Sequence, residues 1–215
     1  MEKPFRFYTR LNLIELLGKL AKNVAGLLEG LKQVPGSSIY YHTHRFLQQH
    51  HYLSPEPPND FAFWVTNSLS LDRLGERLAS IDTVKFRSIR SLREKFIEIL
   101  EVYERENDSR STDCQEGEEF HFMSCRTFIL PTPYEARDLK EFREILQKVS
   151  INSIYFHIFE ARLRLERGEN DFSNWLEEIG EKKLARDISR LDPYTITLEG
   201  LRKNLIRRVG QYVKD

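Results

Sequence analysis

Sliding the chain against itself by 115 residues places FRF at Phe5 on FHF at Phe120. The same shift places LKQVPGSSIYYH, from Leu31, on LQKVSINSIYFH, from Leu146. Unequal loops follow, and the register falls to 111, where NDFAFWV at Asn59 meets NDFSNWL at Asn170. At 110, Leu74, Leu78 and Ile81 meet Leu184, Ile188 and Leu191; at 109, Ile89, Leu92 and Tyr103 meet Leu198, Leu201 and Tyr212. The matches keep their order, as a tandem duplication requires. The reading divides the chain into a first repeat at 1–103, an acidic flexible linker at 104–119, and a second repeat at 120–215. The linker, ERENDSRSTDCQEGEE, is almost devoid of apolar residues, so it cannot pack a core of its own.

Two aligned copies constrain structure more than one. LNLIELLGKLAKNVAGLLEGL in the first copy reads as one long helix, but its counterpart carries Pro131 and Pro133, which a helix interior resists. Phe5, Phe7, Leu11 and Leu13 alternate, as do Phe120, Phe122, Phe128 and Leu130, the period of a strand. Strands are therefore expected at about 5–14 and 120–130, each followed by five helices.

The first helices are expected at 18–33 and 134–149. Ser38 and Ser153 are expected caps of the second helices, Asn59 or Asp60 and Asn170 or Asp171 of the third, and Ser88 and Thr197 of the last. Lone strands carry unpaired edges, and the two strands can satisfy each other. The predicted fold is α+β and mostly helical: a duplicated strand-plus-five-helix unit with pseudo-two-fold symmetry and a two-stranded antiparallel ribbon.

Lys and Arg number 33, as do Asp and Glu, so no basic excess points to nucleic acid. No apolar run reaches the roughly 18 residues a membrane helix needs, and the N-terminus lacks an apolar leader core. A cytoplasmic protein is expected. Two cysteines, Cys114 and Cys125, do not make a disulfide framework.

Four of the six histidines, His42, His44, His50 and His51, crowd one stretch. His42 has a counterpart, His157, and on a helix shares a face with Ile39 and Phe46, so both matched histidines are expected in the core. No pair among the four has the i, i+3 or i, i+4 spacing of a helical chelate. No metal, cofactor or catalytic residue is assigned. GxSxG, P-loop and Rossmann patterns are missing.

The first repeat is distinguished by HRFLQQHHYLSPEPP, His44 to Pro58, four residues longer than its counterpart. Its His44, Arg45, Gln48, His51 and Tyr52 are the candidate contacts for a small polar ligand or a protein partner. The basic cluster Lys85, Arg87, Arg90, Arg93 and Lys95 reads as solvated surface.

The stretches VPGSSIYYHTHRFLQQHHYLSPEPPNDFAFWV, NDFSNWLEEIG and LARDISRLDPYTITLEGLR resemble a bacterial and archaeal family of unknown function across nearly the whole chain. The resemblance carries over no catalytic residue. It implies genes that can lie near those of glycosyltransferases in storage-sugar or trehalose metabolism. The expected role is an interaction or regulatory accessory protein, with carbohydrate metabolism as its setting. The alternative is an enzyme or a small-ligand or metal-binding protein using His44 to His51.

Overall fold

The computed structural model describes residues 3–49, 59–107, 112–161, 169–191 and 196–213. Strand β1 spans Phe5–Ala21, followed by helices α1 Val24–Gln33, α2 Gly36–Gln49, α3 Asp60–Asn67, α4 Asp72–Ala79 and α5 Ile89–Glu106. Strand β2 spans Phe120–Ala136, followed by α6 Leu139–Leu146, α7 Ile151–Tyr155, α8 Asp171–Glu178, α9 Lys182–Ser189 and α10 Leu198–Gly210. The fold is α+β and mostly helical, and β1 and β2 form a two-stranded antiparallel sheet.

Both strands run 17 residues, well past the expected ends. The first helices correspondingly begin at Val24 and Leu139 rather than at 18 and 134. Their real starts are marked by Asn23 and Asp138, whose side chains accept the N–H groups of Gly26 and Glu141. These caps fix where the chain leaves the ribbon. Asn59, Asn170, Ser88 and Thr197 cap α3, α8, α5 and α10. Ser38 and Ser153 are not caps. Ser38 lies inside α2, and Ser150 caps α7. Ser153 instead donates its hydroxyl to the carbonyl of Tyr8 at 2.6 Å. Five residues of π-helix, Phe156–Glu160, extend α7.

The chain forms two compact units. Helices α1–α5 belong to unit 2, together with 12–21 of β1 and 120–126 of β2. Helices α6–α10 belong to unit 1, together with the start of β1, to Leu11, and with β2 from Thr127. Each strand therefore begins among the helices of the opposite half of the sequence.

The exchange follows from where the phenylalanines go. Phe5 and Phe7 are buried, with Phe5 edge-on to Phe142 at 5.7 Å and near Trp175 at 5.7 Å. In unit 2, Phe120 and Phe122 are buried in the core that α1, α3 and α5 build from Leu27, Leu31, Phe61, Trp64 and Phe96. Alternation sends Arg6 and His121, between them, outward. The indoles lock the strand entries. Trp64 donates to the carbonyl of Glu118 at 2.6 Å, and Trp175 to that of Lys3 at 3.2 Å.

The expected linker, 104–119, falls partly within the described residues. Residues 104–106 finish α5, and 112–119 are held to unit 2. Cys114 N–H donates to the carbonyl of Lys22 at 2.7 Å, and Asn23 Nδ2 to Asp113 at 2.6 Å. Cys114 also packs against the apolar core of unit 2.

Candidate functional site

The histidine question is settled locally for His42 and His157. Both are buried, 3% and 2% exposed. His42 Nδ1 lies 2.8 Å from Asp60 Oδ2, and its Nε2 accepts the N–H of Met123 at 2.9 Å. In unit 1, His157 Nδ1 lies 2.8 Å from Asp171 Oδ2, and its Nε2 accepts the N–H of Tyr8 at 2.8 Å. An Nε2 that accepts carries no proton, so the proton sits on Nδ1 and faces the carboxylate. Each imidazole is a clip between a strand backbone and the first turn of a helix. Neither has a lone pair left for a metal. Asp60 and Asp171, expected as caps, serve instead as histidine partners, because the neighbouring asparagines take the capping role.

His44 is 3% exposed. It stacks on Tyr40, with ring centroids 5.5 Å apart. Thr43 donates its hydroxyl to the carbonyl of Ile39 at 2.7 Å, which leaves the oxygen to accept from His44 Nδ1 at 2.9 Å. Arg45 and Gln48 fall on α2, but their side chains lie outside the described residues, as do His51 and Tyr52 altogether. The structure thus places one of the five candidate contacts, His44, in the interior. Among the described residues no three His, Cys, Asp or Glu side chains are grouped as metal ligands would be.

Cys114 is a poor nucleophile. Burial, followed by the negative charge of Glu119, raises its thiol above the usual range and keeps it protonated. Cys125 is buried.

The feature that sequence reading missed is on the strands. In unit 2, β1 exposes Leu13 at 55%, Ile14 at 42%, Leu16 at 61% and Leu20 at 47%. In unit 1, Leu11, Phe128, Ile129 and Leu130 are all exposed, the least of them by 45%. Successive strand residues point to opposite faces. Exposure at consecutive positions therefore puts apolar side chains in solvent on both faces of β1 at 13–14 and of β2 at 128–130. Among the described residues each strand has one neighbour, so each has an open edge.

Two ion pairs run within the ribbon strands. Glu15 pairs with Arg126 at 2.9 Å, and Arg6 with Glu135 at 3.4 Å. Pro131 and Pro133 remove two backbone donors from β2, so that edge resists strand addition. The signal was available in the sequence as LNLIELLGKL. Apolar alternation alone predicts a strand there and does not say whether anything covers it.

The profile of a family of unknown function, DUF5752, matches residues 2–210. The chain belongs to DUF5752. Among solved structures, this DUF5752 chain is similar to OrfY from Thermoproteus tenax. The two share 27% sequence identity and superpose with a TM-score of 0.81, over 98% of this chain and 97% of OrfY. No curated protein matches it.

Proposed function

We propose that this is a duplicated, pseudosymmetric accessory protein of the cytoplasm that docks one partner protein, a sugar-transferring enzyme, on the outer edge of β1. The observation that carries the reading is the β1 segment of unit 2, where Leu13, Ile14, Leu16 and Leu20 stand in solvent. A soluble protein seldom leaves such a surface bare unless it binds something. A two-stranded ribbon is also marginal in water without a cover.

The chemistry of the occupant follows from the segment. Glu15 is neutralised by Arg126, and Lys19 bonds to the amide of Gln33, so the segment carries one positive charge among its leucines. Its partner must bring an apolar face, and an extended partner segment can also take up the open backbone edge. The choice of a sugar-transferring enzyme follows the gene neighbourhood that the family resemblance implies. The duplication is supported by the two His–Asp clips, which repeat the same atoms on the same elements in each unit. The alternative, an enzyme centred on His44 to His51, is weakened by His44, which packs on Tyr40.

The test is a Leu13→Asp, Leu16→Asp double variant against the wild-type chain, each mixed with purified glycosyltransferases from the source genome. Co-elution with one of them that the variant loses, with helical content unchanged, supports the reading. A wild-type chain that light scattering finds dimeric and the variant finds monomeric would instead make β1 a self-association surface and end the accessory proposal.

A further inference from the structure

Arg93, on α5 of unit 2, is held by one end only. Its Nη2 donates to the carbonyl of Val34 at 2.7 Å. Its Nε is buried and has no hydrogen-bond partner among the described residues. A buried charged donor left unmade is costly, and a native protein tends to give it an acceptor.

Unit 1 shows what that acceptor can be. In the repeat register Arg93 matches Arg202, which donates through Nη1 to the carbonyls of Val149 at 2.7 Å and Leu146 at 2.8 Å. Arg202 Nε goes to the carboxylate of Glu199 at 3.0 Å. The position matching Glu199 is Arg90. The internal anion has been replaced by a second cation.

Two further differences act in the same direction. Lys32 stands where unit 1 has Gln147, and Gly36 where it has Ile151. Lys32, Gly36, Ile89, Arg90, Arg93, Glu94 and Ile97 line a cleft of about 490 Å³. That volume suits a small ligand. Gly36 and Ile89 are the first residues of α2 and α5, so the positive ends of both helix dipoles meet at the cleft.

We propose that this cleft binds a phosphoryl anion, with Arg93 as its anchor and Arg90 and Lys32 as supporting cations. The phosphate takes the place that the Glu199 carboxylate holds on Arg202, and an organic substituent would rest on Ile89 and Ile97. A guanidinium whose Nε–H lacks an acceptor can add a phosphate oxygen to the bond its Nη2 already makes to Val34. Glu94 holds Arg90 at 3.1 Å and Glu101 holds Lys32 at 2.7 Å. Both pairs are solvent-exposed and worth little, so a doubly charged ligand can draw the cations away.

The experiment is a chemical-shift titration of the full chain at constant ionic strength, with inorganic phosphate and with phenyl phosphate, and chloride as control. Saturable shifts are expected at the backbone amides of Gly36, Ile89, Arg90 and Arg93. Arg90→Glu supplies the internal acceptor found in unit 1 and should weaken binding about tenfold or more. Gly36→Ile should block the cleft without unfolding the chain, because a Cβ there meets only Ile89 Cγ2, at 3.4 Å. Tighter binding of phenyl phosphate would point to a phosphate ester as the ligand, and tighter binding of inorganic phosphate to the free ion. The proposal is overturned if neither probe gives saturable shifts, or if both variants bind as the wild type does.

Discussion

His42 accepts a hydrogen bond at its Nε2 from the backbone N–H of Met123, 81 residues further along the chain, at 2.9 Å. Its other nitrogen meets Asp60 on α3. One imidazole thus ties a strand from the second half of the sequence to a helix of the first. Removing it leaves the strand N–H of Met123 without its acceptor in a place that water reaches poorly. His42→Ala should destabilise the protein by about 1–3 kcal/mol. Asp60→Ala should cost less, since Asp60 is partly exposed and the imidazole keeps its strand contact. Urea denaturation of both variants measures this. A His42→Ala chain as stable as wild type would show that the clip contributes nothing.

Arg10 makes a sharper case. Its side chain is fully buried, it pairs with Glu160 at 2.7 Å, and it lies over the Tyr155 ring, 4.7 Å from the centroid. Glu160→Ala removes the carboxylate that Arg10 Nη1 meets at 2.7 Å and should cost about 3–5 kcal/mol. Arg10→Met removes the charge and keeps the bulk, so it should cost far less. If thermal melts find the two variants equally destabilised, the pair's charge is not what matters there.

Gly30, on α1, is buried against Phe122. A Cβ at this position would run into the Phe122 ring. Alanine would ordinarily strengthen a helix by about 1 kcal/mol relative to glycine. Here overpacking should reverse the sign, with a net loss of about 1–2 kcal/mol. Gly26, whose Cβ would meet its nearest atoms at 3.4 Å, is the control on the same helix and should tolerate alanine. Denaturation midpoints that move the same way for both would refute the packing argument.

On the ribbon, substitution should leave stability alone. Leu16 is 61% exposed, so Leu16→Lys should change unfolding free energy by no more than about 0.5 kcal/mol. It should also reduce binding of an apolar dye such as ANS to the native chain. A large loss of stability would mean that Leu16 packs in solution against something that completes the fold.

Much of this was readable from residues alone. The repeated motifs placed five helices after each strand, and the prolines at 131 and 133 excluded the helix that the first copy imitates. Asn59, Ser88 and their matches announced their helices, because a cap is a local interaction between a side chain and N–H groups two or three residues on. His42 and His157 read as core because their apolar neighbours share a helical face. The candidate site was less legible. His44 looked polar and available, yet it is buried, stacked on Tyr40 and hydrogen-bonded to Thr43 through Nδ1.

The sequence by itself determined the elements, their order, and which faces are apolar, since these depend on contacts within a few residues. It could not decide what each apolar face meets. Phe5 and Phe7 fit equally well, by pattern, against the helices that follow them or against those a hundred residues later. Only the tertiary structure placed them on Phe142, His157 and Trp175, and placed Phe120 and Phe122 with α1, α3 and α5. The physical reason is that burial is non-directional: an apolar side chain is satisfied by any dry surface of the right shape. The same reason left Leu13, Ile14 and Leu16 ambiguous, and the fold resolved them by leaving them in water.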